Sequence, residues 1–448
     1  MNNKNLPAEN VYQKPVTLKN IMKFAVPTIV MTVFMSFYTM VDGLFVSNLI
    51  GTGALSAINL TAPAITLVTA VSTMLATGGS AVIMKKMGAG LQEESRQDFT
   101  FLILVNVAVG LIMYLAGRAV MQPIFGSMSL SPEVSGYCSE YLGQYLLFTV
   151  PILLMNNFTL YMIAIGKSQV SLVCTAAGGI LNIVLDYVFI AIFDMGISGA
   201  AIATGLGYSV TAVAGLFIFS DKKNMLYFKK PVVRPEVLLH AASNGSSEMA
   251  TSLVTGIVTL MFNWIMLKYA GEDGVAAITI IMYVLMFAGS IYTGYAYGVA
   301  PMISFYYGEK NQLKLKSLIT TSLKIIGAVS VLAMVLSIAA TRPLVSVFVR
   351  PDNPVFGLAV TGNRICSLAL LFIGFNIFAS SMFTALSNGF ISALLAFTRS
   401  FVFMVAAMLI LPAVLGINGA WLANPAAELM ALFLSAFMFF RYKKRYRY

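Results

Sequence analysis

Twelve apolar stretches, each long enough to cross a bilayer, recur along this chain and leave little room for any other kind of fold. They are centred roughly on residues 24–47, 54–82, 99–118, 140–163, 170–192, 198–219, 244–267, 275–304, 318–340, 363–385, 391–413 and 417–440. A helix needs about 20 mainly apolar residues to span the hydrocarbon core. Period-two patterning is absent, which argues against a membrane β-barrel. The chain is 59% hydrophobic and 10% charged, whereas soluble domains carry about a quarter charged residues. The expected class is an all-α polytopic membrane protein of twelve helices.

The polar inventory narrows the chemistry. Cys138, Cys174 and Cys366 have no paired spacing and His240 stands alone, so neither a disulfide framework nor a Cys/His metal site is expected. Residues 1–20 are polar and hold no apolar signal-peptide core, so the first span is expected to serve as the targeting signal. A net charge of +11 raises the question of nucleic acid, and its distribution answers it. With the N-terminus placed inside, only Arg118, Lys268, Arg342, Arg350 and Arg364 of the 28 Lys and Arg fall outside. Positive residues are retained on the cytoplasmic side during insertion. Both termini are therefore expected in the cytoplasm, in the plasma membrane, and the basic tail is expected to meet lipid headgroups, not nucleic acid.

The chain repeats itself. A shift of 220 positions sets Gly78 on Gly298, Gly88 on Gly308, Pro123 on Pro343, Phe158 on Phe378, and Gly196-Ile197-Ser198-Gly199-Ala200 on Gly416-Ile417-Asn418-Gly419-Ala420. Each repeat holds six spans, an even number, so both halves share one orientation and are expected to be related by a pseudo-twofold axis along the membrane normal, with a cleft between them. The layout expected is an N-terminal segment 1–20, a six-helix bundle 21–219, a linker 220–243, a second bundle 244–440 and a basic tail 441–448.

The repeat also exposes what is not duplicated. Among the acidic residues, Asp42, Asp186, Glu248 and Glu428 lie within spans, where ionisable side chains are costly and functional by default. Asp42 corresponds to Phe262, Asp186 to Ala406 and Asn182 to Val402, so one half carries charge that the other lacks. Span direction puts Asp42, Asn182, Asp186 and Thr204 at one outer level on three helices. Asn182 and Asp186, spaced i, i+4, share a helix face. Two carboxylates, an amide oxygen and a hydroxyl suit a hard monovalent cation or a shared proton; four separate interhelical hydrogen bonds are the plainer alternative. Glu248, near the inner start of span 7, either attracts a cationic substrate or faces cytoplasmic water. Arg399 reads as an inner-end residue whose guanidinium snorkels, and Glu428 has no partner that the sequence can name. Pro27 interrupts the hydrogen bonding of span 1 and is a candidate for helix bending.

No phosphate-binding loop occurs, since Tyr161 stands where the motif around Gly166-Lys167-Ser168 needs glycine. No covalent-catalysis motif is present either. An enzyme is not expected, no cofactor is required, and transport energy would come from an ion gradient. The chain resembles the multidrug and toxic compound extrusion (MATE) family along essentially its whole length. The residues that carry the likeness are Pro27…Asp42-Gly43-Leu44-Phe45-Val46, Gly78…Gly88, Asn182-x-x-x-Asp186, Gly196-x-x-Gly199-Ala200 with Thr204, Gly298-x-x-Pro301 and Gly416-x-x-Gly419-Ala420. The resemblance implies export of organic, often cationic, small molecules in exchange for Na⁺ or H⁺ by alternating access. By likeness to the DinF-like branch, it puts the cation site, open to Na⁺, at Asp42, Asn182, Asp186 and Thr204, and matches Glu248 to a span-7 glutamate. Residues 363–385 lack the span-10 acid of some members. A monomer embedded in lipid is expected. A lipid-linked precursor flippase or a passive channel is the alternative.

Overall fold

The spans arise because each apolar run can satisfy its backbone only within a helix once water is excluded. The computed structural model describes residues 11–49, 52–128 and 130–448, with the side chains of residues 11, 39, 41–49, 52 and 55 outside that description. In chain order the helices are α1 (Leu18–Leu49), α2 (Thr52–Gly88), α3 (Gln92–Ser127), α4 (Pro132–Leu147 and Thr149–Ala164, bent by 52°), α5 (Ser168–Ile192) and α6 (Gly196–Ser220). The 74-residue helix Pro235–Gly308 comes next; its backbone leaves helical geometry at Gly271 (φ 64, ψ −155). A straight helix of that length would reach about 110 Å, several times the hydrocarbon thickness, so it comprises two spans, α7 (235–270) and α8 (272–308). Then come α9 (Gln312–Ala339), a short helix Thr341–Ser346, α10 (Pro354–Ala385), α11 (Gly389–Leu415) and α12 (Ile417–Tyr446). Twelve spans therefore form two six-helix lobes, and no strand occurs among the described residues.

Both described ends of the chain, the linker 221–234 and the short turns after α2, α4, α8 and α10 gather on one face, called here the basic face. The linker is tied to the N-terminal lobe there. Arg234 and Lys86 clamp the fully buried Asp98 at 2.6 and 2.5 Å, and Lys229 pairs with Glu93.

The lobes join at this face and part away from it. One apolar core runs through both lobes near the basic face, from Phe24, Met84 and Tyr161 to Tyr306, Phe383 and Tyr446. The far halves hold separate cores, one around Tyr141, Tyr145 and Ile152, the other around Phe262, Met266 and Trp421. The duplicated glycines explain the seal. A Cβ on Gly88 would overlap the Phe305 carbonyl, and a Cβ on Gly308 would overlap the Lys85 carbonyl. These are the same contact seen from either lobe, because Lys85 and Phe305 are themselves 220 positions apart. Only glycine permits such backbone approach. Deeper in, Thr32 Oγ1 donates to the Ser290 carbonyl at 2.8 Å across the seam.

Tyr12 completes the closure. It is wholly buried, stacks on Phe305 with ring centroids 4.5 Å apart and donates to the Ala164 carbonyl of α4. Its own carbonyl accepts from Tyr306 at 3.2 Å and Lys314 at 3.0 Å. A single side chain, six positions ahead of α1, thus contacts both lobes. Burial pushes its phenol well above the ordinary range, so it remains a donor throughout the physiological pH range.

Candidate functional site: a buried polar cluster in the N-terminal lobe

Asn182 and Asp186 stand one turn apart on α5, and both are buried, at 1% and 0% exposure. Asn182 Nδ2 donates to Thr204 Oγ1 on α6 at 3.4 Å, and Thr204 in turn donates to the Ala200 carbonyl at 3.0 Å. The structure therefore joins Asn182 and Thr204 directly, with Asp186 buried one turn along the same helix. The fourth, Asp42, lies on α1, which packs along α5, but its side chain is outside the described residues. With its amide nitrogen donating to Thr204, Asn182 leaves Oδ1 with no hydrogen-bond partner among the described residues. An orphaned buried acceptor costs free energy, and a cation or a protonated group would satisfy it. The donors gathered here are a carboxylate, an amide oxygen and a hydroxyl, a hard-oxygen set suited to Na⁺ or to a carried proton.

Directly beyond Asp186, α5 changes to a π-helical turn over Tyr187–Ile192. Such turns insert one residue and rotate the remainder of the helix, and they recur at functional sites. Toward the basic face the cluster continues into a cavity lined by Met35, Tyr38, Thr175, Gly179 and Tyr208. Thr175 Oγ1 likewise lacks a partner among the described residues. Tyr38 donates to the Tyr208 hydroxyl at 3.3 Å. The sequence alone does not single out these aromatic residues, because a tyrosine in a span is also an ordinary packing residue.

Glu248 occupies a different place. It lines a narrow polar cavity between the lobes with Thr77 and Ser80 on one side and Tyr297, Ser381 and Thr384 on the other. Pro27 is buried in α1 at the seam, between Ala25, which abuts Gly298, and Thr28 and Ile29, which abut Gly294.

Two residues read differently in the structure. Arg399 is not a snorkelling inner-end residue. It sits ten residues, or about 15 Å, into α11, where a second π-helical turn spans Thr398–Phe403. Its Nε donates to both oxygens of Glu428, at 2.9 and 3.0 Å. Glu428, for which the sequence offered no partner, also accepts from Asn376 Nδ2 at 2.8 Å.

Two six-span lobes closed on one face, with polar residues buried at mid-depth, define a multi-pass membrane transporter. The sequence model of the MatE family matches residues 27–188 and 249–411, once in each lobe, and the chain belongs to this MATE family of multidrug efflux transporters. It is 23% identical over 424 residues to the multidrug export protein MepA of Staphylococcus saprophyticus, covering 94% of this chain and 93% of that one. It is 24% identical over 439 residues to MepA of Staphylococcus haemolyticus, covering 97% and 96%. Among solved structures, a MATE transporter in complex with MaL6 superposes with a TM-score of 0.93 at 21% identity, over 98% of this chain and 99% of the other. An outward-facing MATE transporter of the MOP superfamily gives 0.92 at 21% identity, over 99% and 100%.

Proposed function

We propose that the chain is a secondary antiporter of the plasma membrane that exports organic, cationic and amphipathic compounds in exchange for Na⁺ or H⁺, with both termini in the cytoplasm. The observation that carries this reading is the orphaned Asn182 Oδ1 beside Thr204 and one turn from the fully buried Asp186. An oxygen acceptor is left inside the spans without a donor to satisfy it, next to a buried acid, as a cation-exchanging site requires. The names of the relatives, multidrug export proteins, agree with the cargo.

In this reading the seal at the basic face makes the present state open toward the outside. An ion entering from there neutralises the carboxylates of Asp42 and Asp186. It thereby changes the cost of burying them, and so shifts the balance between the two lobe arrangements. Pro27 lies on α1 at the seam, on the helix that also carries Asp42, where loss of one backbone hydrogen bond makes bending inexpensive. Glu248, in the interlobe cavity, supplies a negative charge to a cationic cargo passing between the lobes. A monomer in lipid is sufficient, and no resident cofactor is needed.

Reconstitution into proteoliposomes with a Na⁺ gradient or a pH gradient imposed alone tests the proposal. Uphill movement of a cationic dye under one gradient, and its loss in Asp42→Asn at unchanged reconstitution, is the expected result. Dye movement that never exceeds equilibrium would mean a passive channel, and wild-type extrusion by Asp42→Asn would remove the site.

A further inference from the structure

We propose that Arg399 is a tethered counter-ion. Its guanidinium, fixed by covalent bonds, fills the place where the C-terminal lobe would otherwise need a free cation, and ion exchange is thereby left to the N-terminal lobe. The second half rests on the antiport reading above; the first stands on the C-terminal lobe alone.

Glu428 lies eleven residues, or about 16 Å, into α12 with its side chain 5% exposed. A carboxylate at that depth is tolerated only with a charge partner and satisfied lone pairs. It has both. Arg399 Nε bridges its two oxygens, and Asn376 Nδ2 donates to Oε2 and, at 2.9 Å, to the Glu428 carbonyl. Ser435 donates to Asn376 Oδ1 at 3.0 Å, which fixes the amide with its hydrogens toward the carboxylate. Three helices, α10, α11 and α12, thus converge on one negative charge as they would around a bound cation. The cation is supplied by α11. It is held by one edge, since the two terminal guanidinium nitrogens make no hydrogen bond among the described residues, and 19% of the side chain stays accessible.

The other lobe shows what this arrangement replaces. By the 220-residue shift, Arg399 corresponds to Gly179, Glu428 to Tyr208 and Asn376 to Asn156. In the N-terminal lobe Gly179 and Tyr208 border a small cavity with Gly178 and Gly207, and Asn156 donates to Ser72 at 2.9 Å. Phe34 and Tyr38 of α1 lie over Gly179; α7 carries the smaller Val254 and Val258 at the equivalent positions. Large rings over a glycine in one lobe become small side chains and an arginine in the other. Glycine to arginine and tyrosine to glutamate belong together, since either charge alone would be buried unpaired.

The test uses detergent-purified protein and thermal unfolding in millimolar guanidinium chloride against choline chloride at equal ionic strength. Wild type is expected to be indifferent to the choice of salt. Arg399→Ala should lower the unfolding midpoint by roughly 3–5 °C, and guanidinium should restore it in a saturable way. The double variant Arg399→Ala/Glu428→Gln should regain most of the stability and ignore guanidinium. In proteoliposomes, transport by Arg399→Ala should acquire a guanidinium dependence that wild type lacks. Equal responses of single and double variants, or a wild type stabilised as strongly, would overturn the proposal. Should Arg399→Ala fail to accumulate, Glu428→Gln serves instead: it strands the guanidinium and must be less stable than the double variant, and the reverse order sinks the idea. Rescue by guanidinium does not depend on N-terminal ion exchange, so loss of the antiport reading through Asp42→Asn would leave this result interpretable.

Discussion

Gly88 in one lobe and Gly308 in the other make the same close contact with the opposite backbone, whereas Asp186 in one lobe has Ala406 as its counterpart in the other. The first pair shows that the seam is governed by symmetry. Two equivalent helices cross there, and each must be bare for the other to approach. The second pair shows that the lobe interiors are free to diverge, because Asp186 and Ala406 lie away from the seam and no contact across it constrains them. Duplication thus fixed the hinge surface and left the buried chemistry unconstrained. The N-terminal lobe kept the unpartnered Asn182 and Thr175 oxygens beside a small cavity. The C-terminal lobe filled the same level with a closed ion pair.

Three sets of substitutions sharpen or break that contrast. The largest effect is expected from Asp186→Asn, which removes charge with little change in shape and should reduce gradient-driven dye efflux to the passive background; Ala406→Asn, its positional counterpart, should leave efflux near wild type. Comparable losses from both would erase the asymmetry. A smaller effect, and this time an equal one, is expected at the seam. Overpacking costs about 1–3 kcal/mol, so Gly88→Val and Gly308→Val should each shift the lobe equilibrium away from the sealed state by roughly 10- to 100-fold. Thiol labelling of single cysteines placed along the basic-face half of the seam reads that shift, and unequal labelling in the two variants would contradict the symmetry. The smallest effect is expected from Thr204→Val. One hydrogen-bonding hydroxyl contributes about 1 kcal/mol, so the concentration of coupling ion that gives half-maximal efflux should rise several-fold with the maximal rate unchanged.

Much of the fold was legible from residues alone, and the reason is the solvent. A bilayer imposes length and polarity limits on every span, so span count and repeat are written along one dimension. Asn182, Asp186 and Thr204 were also within reach, because an i, i+4 pair on one helix and a hydroxyl two turns into the next share a depth whatever the packing. Arg399 and Glu428 were not. They are 29 residues apart on separate helices, and depth alone could not tell a snorkelling arginine from a paired one. The π-helical turn at Thr398–Phe403 adds rotation that no 3.6-residue period reveals. Tyr12, in a polar segment ahead of the first span, gave no sign of its burial between the lobes.

The sequence by itself determined that twelve helices cross a membrane as two related sets of six, and which set holds which acids, because hydrophobic length and residue identity are properties of the chain. The tertiary structure decided which buried groups are answered and which are left open, and on which face the lobes close. Those depend on helix rotation and on backbone approach between distant segments, and no local pattern encodes either.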